Sequence, residues 1–283
     1  MIRHNFKKNY GQNFLTVSRF AEDLVDSLEL NEFDVVIEIG PGDGMVTNIL
    51  LNRGVSKVIA IEIDYDLLPN LIRRFSRFES FKLVHEDILK VDLNQLLKKY
   101  EVDLKVKQIN NEKENIGSIK VVGSLPYNIS KKIIDKFLQF KADNPDINLD
   151  RMSFIVQEEV AKDYTAQAPK ASFLSNYLQI FANARKLKTI PAQKFYPKPQ
   201  VNGAILLIKF KDLDELGDRQ ELAKFIRTGF SSPRKTLFKN LSNTQKYDLE
   251  KLKESLQKLG FKDTVRPAEL SFEEFVKLFK VLN

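Results

Sequence analysis

A doubly wound α/β domain followed by a small helical domain is the fold the sequence predicts, and three observations predict it. Residues 35–44, VVIEIGPGDG, join an apolar, β-branched run to three alternate glycines, which reads as a buried parallel strand turning tightly into a helix. Two further apolar runs, KVIAIEID and FKLVHEDIL, end in Glu62 with Asp64 and Glu86 with Asp87, and a fourth, IKVVGSLPYNIS, ends in a polar-aromatic loop. From about residue 212 onward the apolar spacing is helical only. The predicted division is therefore residues 1–211, opening with a basic segment 1–20, and residues 212–283.

Taken in order, the opening segment KKNYGQNFLTVSRF is basic, but Tyr10, Phe14, Leu15 and Phe20 interrupt the charge, so it reads as ordered. Residues 18–30 carry helical spacing (Phe20, Leu24, Val25, Leu28), with Ser18 as the expected cap. The βα units run from 35 to about 140, and the polar stretch 101–118 reads as a loop or irregular hairpin inserted before the fourth strand. A helix over 130–141, a buried strand over 152–157 and a helix through EEVAKDYTA follow. For FLSNYLQIFANA (173–184) periodicity leaves helix and strand both open. KFYPKPQVNGAILLIKF is a proline-stiffened loop leading into a strand. Four helices are then expected in ELAKFIRTGF, RKTLFKNLSN, DLEKLKESLQKLGF and SFEEFVKLFKVL, the last with a capping box from Ser271 and Glu274.

Composition bounds the function. The 283 residues are 43% hydrophobic and 29% charged, the balance of a soluble globular protein. Cysteine is absent, which removes disulfides and thiolate metal sites and fits an intracellular setting. Neither a signal peptide nor an apolar run long enough to span a membrane is found, so a cytoplasmic protein without membrane contact is expected. With only His4 and His85, neither a histidine-rich metal centre nor a Ser-His-Asp hydrolase is expected, and His85 reads as structural. The net charge of +7 is unevenly placed: residues 1–21, 164–211 and 222–247 hold lysines and arginines but no acid. Such stretches suit a polyanion.

The strand ends define a crevice at the carboxyl edge of one sheet, where a nucleoside cofactor belongs. The loop reads G-x-G-x-G rather than G-x-G-x-x-G, with Glu38 two residues before its first glycine. That carboxylate would repel a phosphate and attract a cationic amino group, directly or through water. S-adenosyl-L-methionine offers a sulfonium, an ammonium, a ribose and an adenine without phosphate; Glu62 suits its ribose diol and Asp87 its adenine amine. The fourth strand end, SLPYNIS (124–130), suits methylation of a planar amine. The side chain of Ser124 and the carbonyl of Leu125 would hold the amine hydrogens, Pro126 would fix the turn, and Tyr127 would stack on the base. Positioning supplies most of such catalysis, with no strong general base.

These motifs resemble the ribosomal RNA adenine dimethyltransferases, the KsgA-like enzymes, with the Erm resistance methyltransferases as relatives. The resemblance runs through YGQNFL (10–15), VIEIGPGDG (36–44), IEID (61–64), ED (86–87), LPYNIS (125–130), VQEEVA (156–161), FYPKPQV (195–201), GFSSPRKTLFKNL (229–241) and RPAELS (266–271). It implies a Rossmann-like methyltransferase domain in which Asn13, Leu15, Gly40, Glu62, Asp87 and Ser124 contact S-adenosylmethionine, joined by Gln12, Glu38, Gly42, Ile63 and Ile88. The product would be S-adenosylhomocysteine, and no metal is implied. Leu125 and Tyr127 would hold the target adenine, Phe195 would stack on its other face, and Lys7, Lys8, Arg234, Lys235 and Lys239 would lie on ribosomal RNA. The implied substrate is a pair of adjacent adenines near the 3′ end of small-subunit RNA, in a pre-ribosomal particle, with the enzyme acting as a monomer.

Two departures stand out. Ser124 replaces the asparagine usual in the family, and a hydroxyl donates as well as accepts, so slower or incomplete methylation is expected. KASFLSNY (170–177) lacks the Gly-Arg pair common before Leu-Ser. Small-subunit dimethylation is the favoured function; the alternatives are an Erm-type reaction on large-subunit RNA and a non-catalytic ribosome-assembly factor.

Overall fold

The computed structural model describes residues 13–102, 117–211, 216, 218–243 and 247–282. Lys7, Lys8, Gln12 and most of the expected 101–118 loop lie outside the described residues. In chain order the elements are β1 (Phe14–Leu15), α1 (Ser18–Asp26), β2 (Val35–Ile39), α2 (Met45–Asn52), β3 (Lys57–Glu62), α3 (Leu68–Phe75), β4 (Phe81–His85) and α4 (Leu93–Lys99). Then come β5 (Ile119–Ser124), α5 (Ser130–Asp143), β6 (Leu149–Gln157), α6 (Glu158–Tyr164), α7 (Phe173–Gln179), β7 (Ala182–Ile190), β8 (Phe195–Tyr196) and β9 (Gly203–Phe210). Helices α8 (Arg219–Gly229), α9 (Leu237–Ser242), α10 (Leu249–Lys258) and α11 (Phe272–Leu282) complete it.

The chain forms two compact units, Met1–Ala161 with Arg185–Phe210, and Lys162–Ala184 with Lys211–Asn283. The main sheet has the order β4-β3-β2-β5-β6-β9-β7. Strand β2 is parallel to β3 and β5, β3 to β4 and β5 to β6, whereas β9 runs antiparallel to β6. All five residues of β2 are buried, as a central strand covered on both faces requires. The first unit's core gathers Leu24 and Leu28 near α1, Leu50 of α2, Leu71 and Phe75 of α3, and Val36, Val58 and Val122 of the sheet. Strand order reverses at β2, with β3 and β4 to one side and β5 and β6 to the other.

In the second unit Phe225, Phe230, Phe275 and Phe279 are buried together, with ring centroids 5.5 Å apart for Phe225–Phe279 and for Phe230–Phe275. Residues 162–184, which the sequence reading assigns to the first domain, pack here instead. Phe173 meets the Phe230 ring at 6.4 Å, and the Ala171 amide donates to the Ala268 carbonyl at 2.9 Å.

Three local expectations change. Ser18 is not the cap of α1: Val17 is the extended residue there, Ser18 is already helical, and no side chain caps the helix. The ambiguous 173–184 segment is a helix first and then the start of β7. RKTLFKNLSN is helical only from Leu237, because Thr236 caps α9 by accepting from the Lys239 amide at 3.2 Å. The Ser271–Glu274 capping box is present, with reciprocal bonds of 2.8 and 3.2 Å.

Candidate active site

Where the strand order reverses, the loops leaving the carboxyl ends of β2 and β5 diverge and open a pocket. Ile39 is paired with Gly123 and with Ile61, so the three strand ends finish level. The glycine loop forms one wall. Gly42 has φ 61°, and a Cβ there would come within 2.7 Å of Phe14 Cε1, so backbone and space both demand glycine. At Gly40 a Cβ would meet nothing within 4 Å, which leaves the backbone open to the pocket.

Glu62 closes the next side. Its Oε2 accepts from the Gly42 amide at 3.2 Å and its Oε1 from the Asp64 amide at 2.8 Å, so one carboxylate ties β3 to the glycine loop. Burial raises its pKa, and the two amides oppose that shift by favouring the charged form. Asp87 sits in a turn that it organises itself: its Oδ1 accepts from the Leu89 amide at 2.9 Å, and its carbonyl accepts from Lys90 and Val91 at 2.8 and 3.1 Å. Ile63 and Ile88 add apolar wall on either side.

Glu38 is a correction. It does not line the pocket; it is 1% exposed and accepts from the Thr47 hydroxyl at 2.7 Å. Burial first, with neighbouring Glu62 adding to it, pushes its pKa up to about 8, against the Thr47 bonds. At neutral pH it is a protonated core group that ties β2 to α2, because β2 is covered on both faces and buries all five of its side chains.

The β5 end supplies the opposite wall. Ser124 is the last residue of β5, and the Leu125 amide donates to the Ile155 carbonyl at 2.9 Å, which orients the following peptide. The Pro126 carbonyl then accepts from Ile129 and Ser130 at 3.2 and 3.1 Å, starting α5. Tyr127 is half-buried, and its hydroxyl is buried without a hydrogen-bond partner among the described residues. Burial raises that phenol's pKa, so it stays neutral. Phe195, 3% exposed, faces the same pocket, and Gly203 makes room for it, since a Cβ there would stand 2.9 Å from the ring.

The sequence-selected residues Asn13, Leu15, Gly40, Gly42, Glu62, Ile63, Asp87, Ile88, Ser124, Leu125, Pro126, Tyr127 and Phe195 thus line one pocket. Arg234, Lys235 and Lys239 are exposed in the second unit. Sequence reasoning passes over Phe14, Asp43, Met45 and Ile155, which also line the pocket. Only Phe14 leaves a trace in the sequence, through the glycine at 42 that its ring requires. Asp43, Glu62, Glu86 and Asp87 line the pocket, and no lysine, arginine or histidine does so among the described residues. Those carboxylates fit a cationic ligand without phosphate, and the Tyr127 hydroxyl, without a partner among the described residues, fits a wall completed by a ligand.

A family model described as ribosomal RNA adenine dimethylase matches residues 3–283. The ribosomal RNA small subunit methyltransferase A of Mycoplasma mobile is 36% identical over 284 residues, covering 100% of both chains. Its counterpart in Clostridium botulinum is 33% identical over 279 residues, 96% of this chain and 92% of that one. Among solved structures, the 23S rRNA methyltransferase ErmE has a TM-score of 0.73 at 21% identity, covering 95% of this chain and 99% of that one. A dimethyladenosine transferase from Plasmodium falciparum has a TM-score of 0.70 at 20% identity, covering 94% and 95%. These two structures agree with the present one in fold.

Proposed function

The chain belongs to the ribosomal RNA adenine dimethylase family, and from that premise we propose that it dimethylates the N6 amines of two adjacent adenines near the 3′ end of small-subunit ribosomal RNA. The observation that carries the reading is that Ser124, Leu125, Tyr127 and Phe195 share one pocket with Glu62 and Asp87. A methyl-acceptor wall thereby meets a nucleoside-binding wall.

S-adenosylmethionine, when bound, supplies an electrophilic methyl on a sulfonium. Glu62 would accept from the ribose hydroxyls with the lone pairs its two amide bonds leave over. Asp87 would accept from the adenine amine, while Ile63 and Ile88 cover the ring and Gly40 brings bare backbone to the amino-acid end. Asn13 and Leu15 would close the pocket from the amino-terminal strand. The target adenine would lie between Tyr127 and Phe195. Its amine is a weak nucleophile because the lone pair is delocalised into the ring. The Ser124 hydroxyl and the Leu125 carbonyl would accept its two hydrogens, which localises that lone pair and aims it across the pocket. Lys7, Lys8, Arg234, Lys235 and Lys239 would neutralise RNA phosphates. We place the reaction in the cytoplasm, on a pre-ribosomal particle, with a single copy of the enzyme.

The test is transfer of labelled methyl from S-adenosylmethionine to small-subunit particles lacking the modification, with large-subunit RNA in parallel and modified positions mapped by mass spectrometry. Two dimethylated adjacent adenines on small-subunit RNA are expected. Label on large-subunit RNA alone would move the target to the other subunit; cofactor binding without transfer to either would leave an assembly factor.

A further inference from the structure

We propose that Asp43 makes the pocket prefer the sulfonium of S-adenosylmethionine over the neutral thioether of its product, an inference that rests on the cofactor reading above. Asp43, Glu62, Glu86 and Asp87 line the pocket without a lysine, arginine or histidine beside them among the described residues. Glu62 and Asp87 would take the ribose and the adenine. Glu86 stays with the turn after β4, where its Oε1 accepts from the Asp87 amide at 3.4 Å. Glu38, buried and protonated, adds no charge. Asp43 is the carboxylate on the glycine loop.

Its place is fixed from two sides. The Asp43 Oδ1 accepts from the Met45 amide at 3.2 Å, at the start of α2. From α3, Arg74 donates to the Asp43 main-chain carbonyl, and Phe75 presses on Gly44, where a Cβ would come within 2.4 Å of its ring. Arg74 thus bonds a carbonyl rather than the carboxylate, which enters no ion pair among the described residues. The cofactor's sulfur is bonded to both its ribose and its amino-acid chain. With the ribose on Glu62 and the amino-acid end on Gly40, the sulfur would lie along the loop between them. There the Gly42 amide reaches Glu62 at 3.2 Å, and Asp43 is the next residue.

Methyl transfer leaves the electron pair of the broken S–CH3 bond on sulfur. The adenine amine's lone pair forms the new N–CH3 bond, and a proton then leaves that amine for water. The sulfur therefore arrives positive and departs neutral, whereas the ammonium and carboxylate of the amino-acid end are the same before and after. A negative charge beside the sulfur attracts the first form and not the second. Until the proton leaves, the positive charge has only crossed from sulfur to nitrogen, so the preference falls on the exchange of product for fresh cofactor. Each further methyl requires that exchange.

The test is calorimetric binding to the full chain without RNA, comparing wild type, Asp43→Asn and Asp43→Glu. The probes are S-adenosylmethionine, S-adenosylhomocysteine and sinefungin, in which a protonated amine stands in for the sulfonium. Asp43→Asn keeps an acceptor for the Met45 amide and removes the charge. Its affinity for the two cationic probes should fall about three- to fivefold, with S-adenosylhomocysteine within about 1.5-fold of wild type. The loss should shrink as salt is raised from about 0.05 to 0.5 M. Asp43→Glu, which keeps the charge, should keep most of the preference. Equal losses for all three probes overturn the proposal, because the charge then acts on the shared ammonium or the loop has moved. A Glu variant as indifferent as the Asn variant overturns it too. Wild type that binds none of the probes overturns both this inference and the cofactor reading beneath it, whereas normal wild-type binding with an unchanged ratio in Asp43→Asn overturns this inference alone.

Discussion

At the scale of single residues, Glu38 and Ser124 make opposite points about what a side chain's identity conveys. Glu38 keeps its proton in the folded chain up to about pH 8, against an ordinary value of 4.5. Between those limits the folded state binds a proton that the unfolded state has released, so this group's stabilisation is complete below pH 4.5, declines as pH rises, and is gone above about 8. The limiting slope is about 1.4 kcal/mol per pH unit. Glu38→Gln keeps an acceptor for Thr47 and removes the titration, so denaturant melts should show the variant gaining on wild type toward alkaline pH; a pH-independent difference would contradict the assignment. Nothing in VVIEIGPGDG distinguishes a carboxylate that lines a pocket from one buried behind it, since both sit in the same apolar run. Ser124, by contrast, is legible by position, because the last residue of a strand beside the order reversal has to face the crevice. Ser124→Asn gives the target amine a longer acceptor, so single-turnover methylation should be at least as fast as in wild type, with a larger dimethylated fraction. A large loss of rate in the variant would contradict this.

At the scale of elements, the strands were the easily read part and the tethers between them were not. Each parallel strand announces itself as an apolar run of the right length, and the acids at its end mark the crevice. The two-residue β1 and β8 carry no periodicity at all, yet their pairing brings Phe14 and Phe195 to the site. Lys136 is another hidden tether. From α5 its ammonium donates to the carbonyls of Leu89 and Val91 at 3.5 and 2.6 Å, pinning the turn that Asp87 begins. Lys136→Met removes both bonds and loosens that turn, so the cofactor KM should rise roughly fivefold while kcat holds, and Lys136→Arg should recover most of the loss. Binding of S-adenosylhomocysteine by calorimetry checks it; equal affinity in Met and wild type would show that the turn stands without the lysine. Asn240 plays a similar part in the second unit, where its Nδ2 donates to the Gly229 and Ser232 carbonyls at 2.6 and 3.1 Å and holds the turn leading to Arg234 and Lys235. Asn240→Ala should destabilise the chain by about 1–3 kcal/mol in chemical denaturation, since Asn240 is buried and the change leaves the Gly229 and Ser232 carbonyls without that donor.

At the scale of the whole molecule, charge is sorted by task. Carboxylates line the pocket and no lysine or arginine does so among the described residues, while the acid-free stretches 164–211 and 222–247 are where lysines and arginines gather. This sorting is legible in the sequence because it needs only a count along the chain. The assignment of 162–184 to the second unit is not, because periodicity reports an element's type and the face it buries but not the core that receives it. The division of charge makes a prediction that separates the two tasks. Arg234→Ala with Lys235→Ala removes two exposed cations from a turn that lines no part of the pocket. Affinity for small-subunit particles should fall, and the slope of log affinity against log salt should become shallower by about 0.7–0.9 for each phosphate that the variant no longer neutralises. Cofactor affinity should not move, because neither residue lines the pocket. Parallel salt titrations of wild type and variant read both quantities. Identical slopes would mean that these two cations face solvent rather than RNA, and a fall in cofactor affinity would mean that the two tasks are coupled.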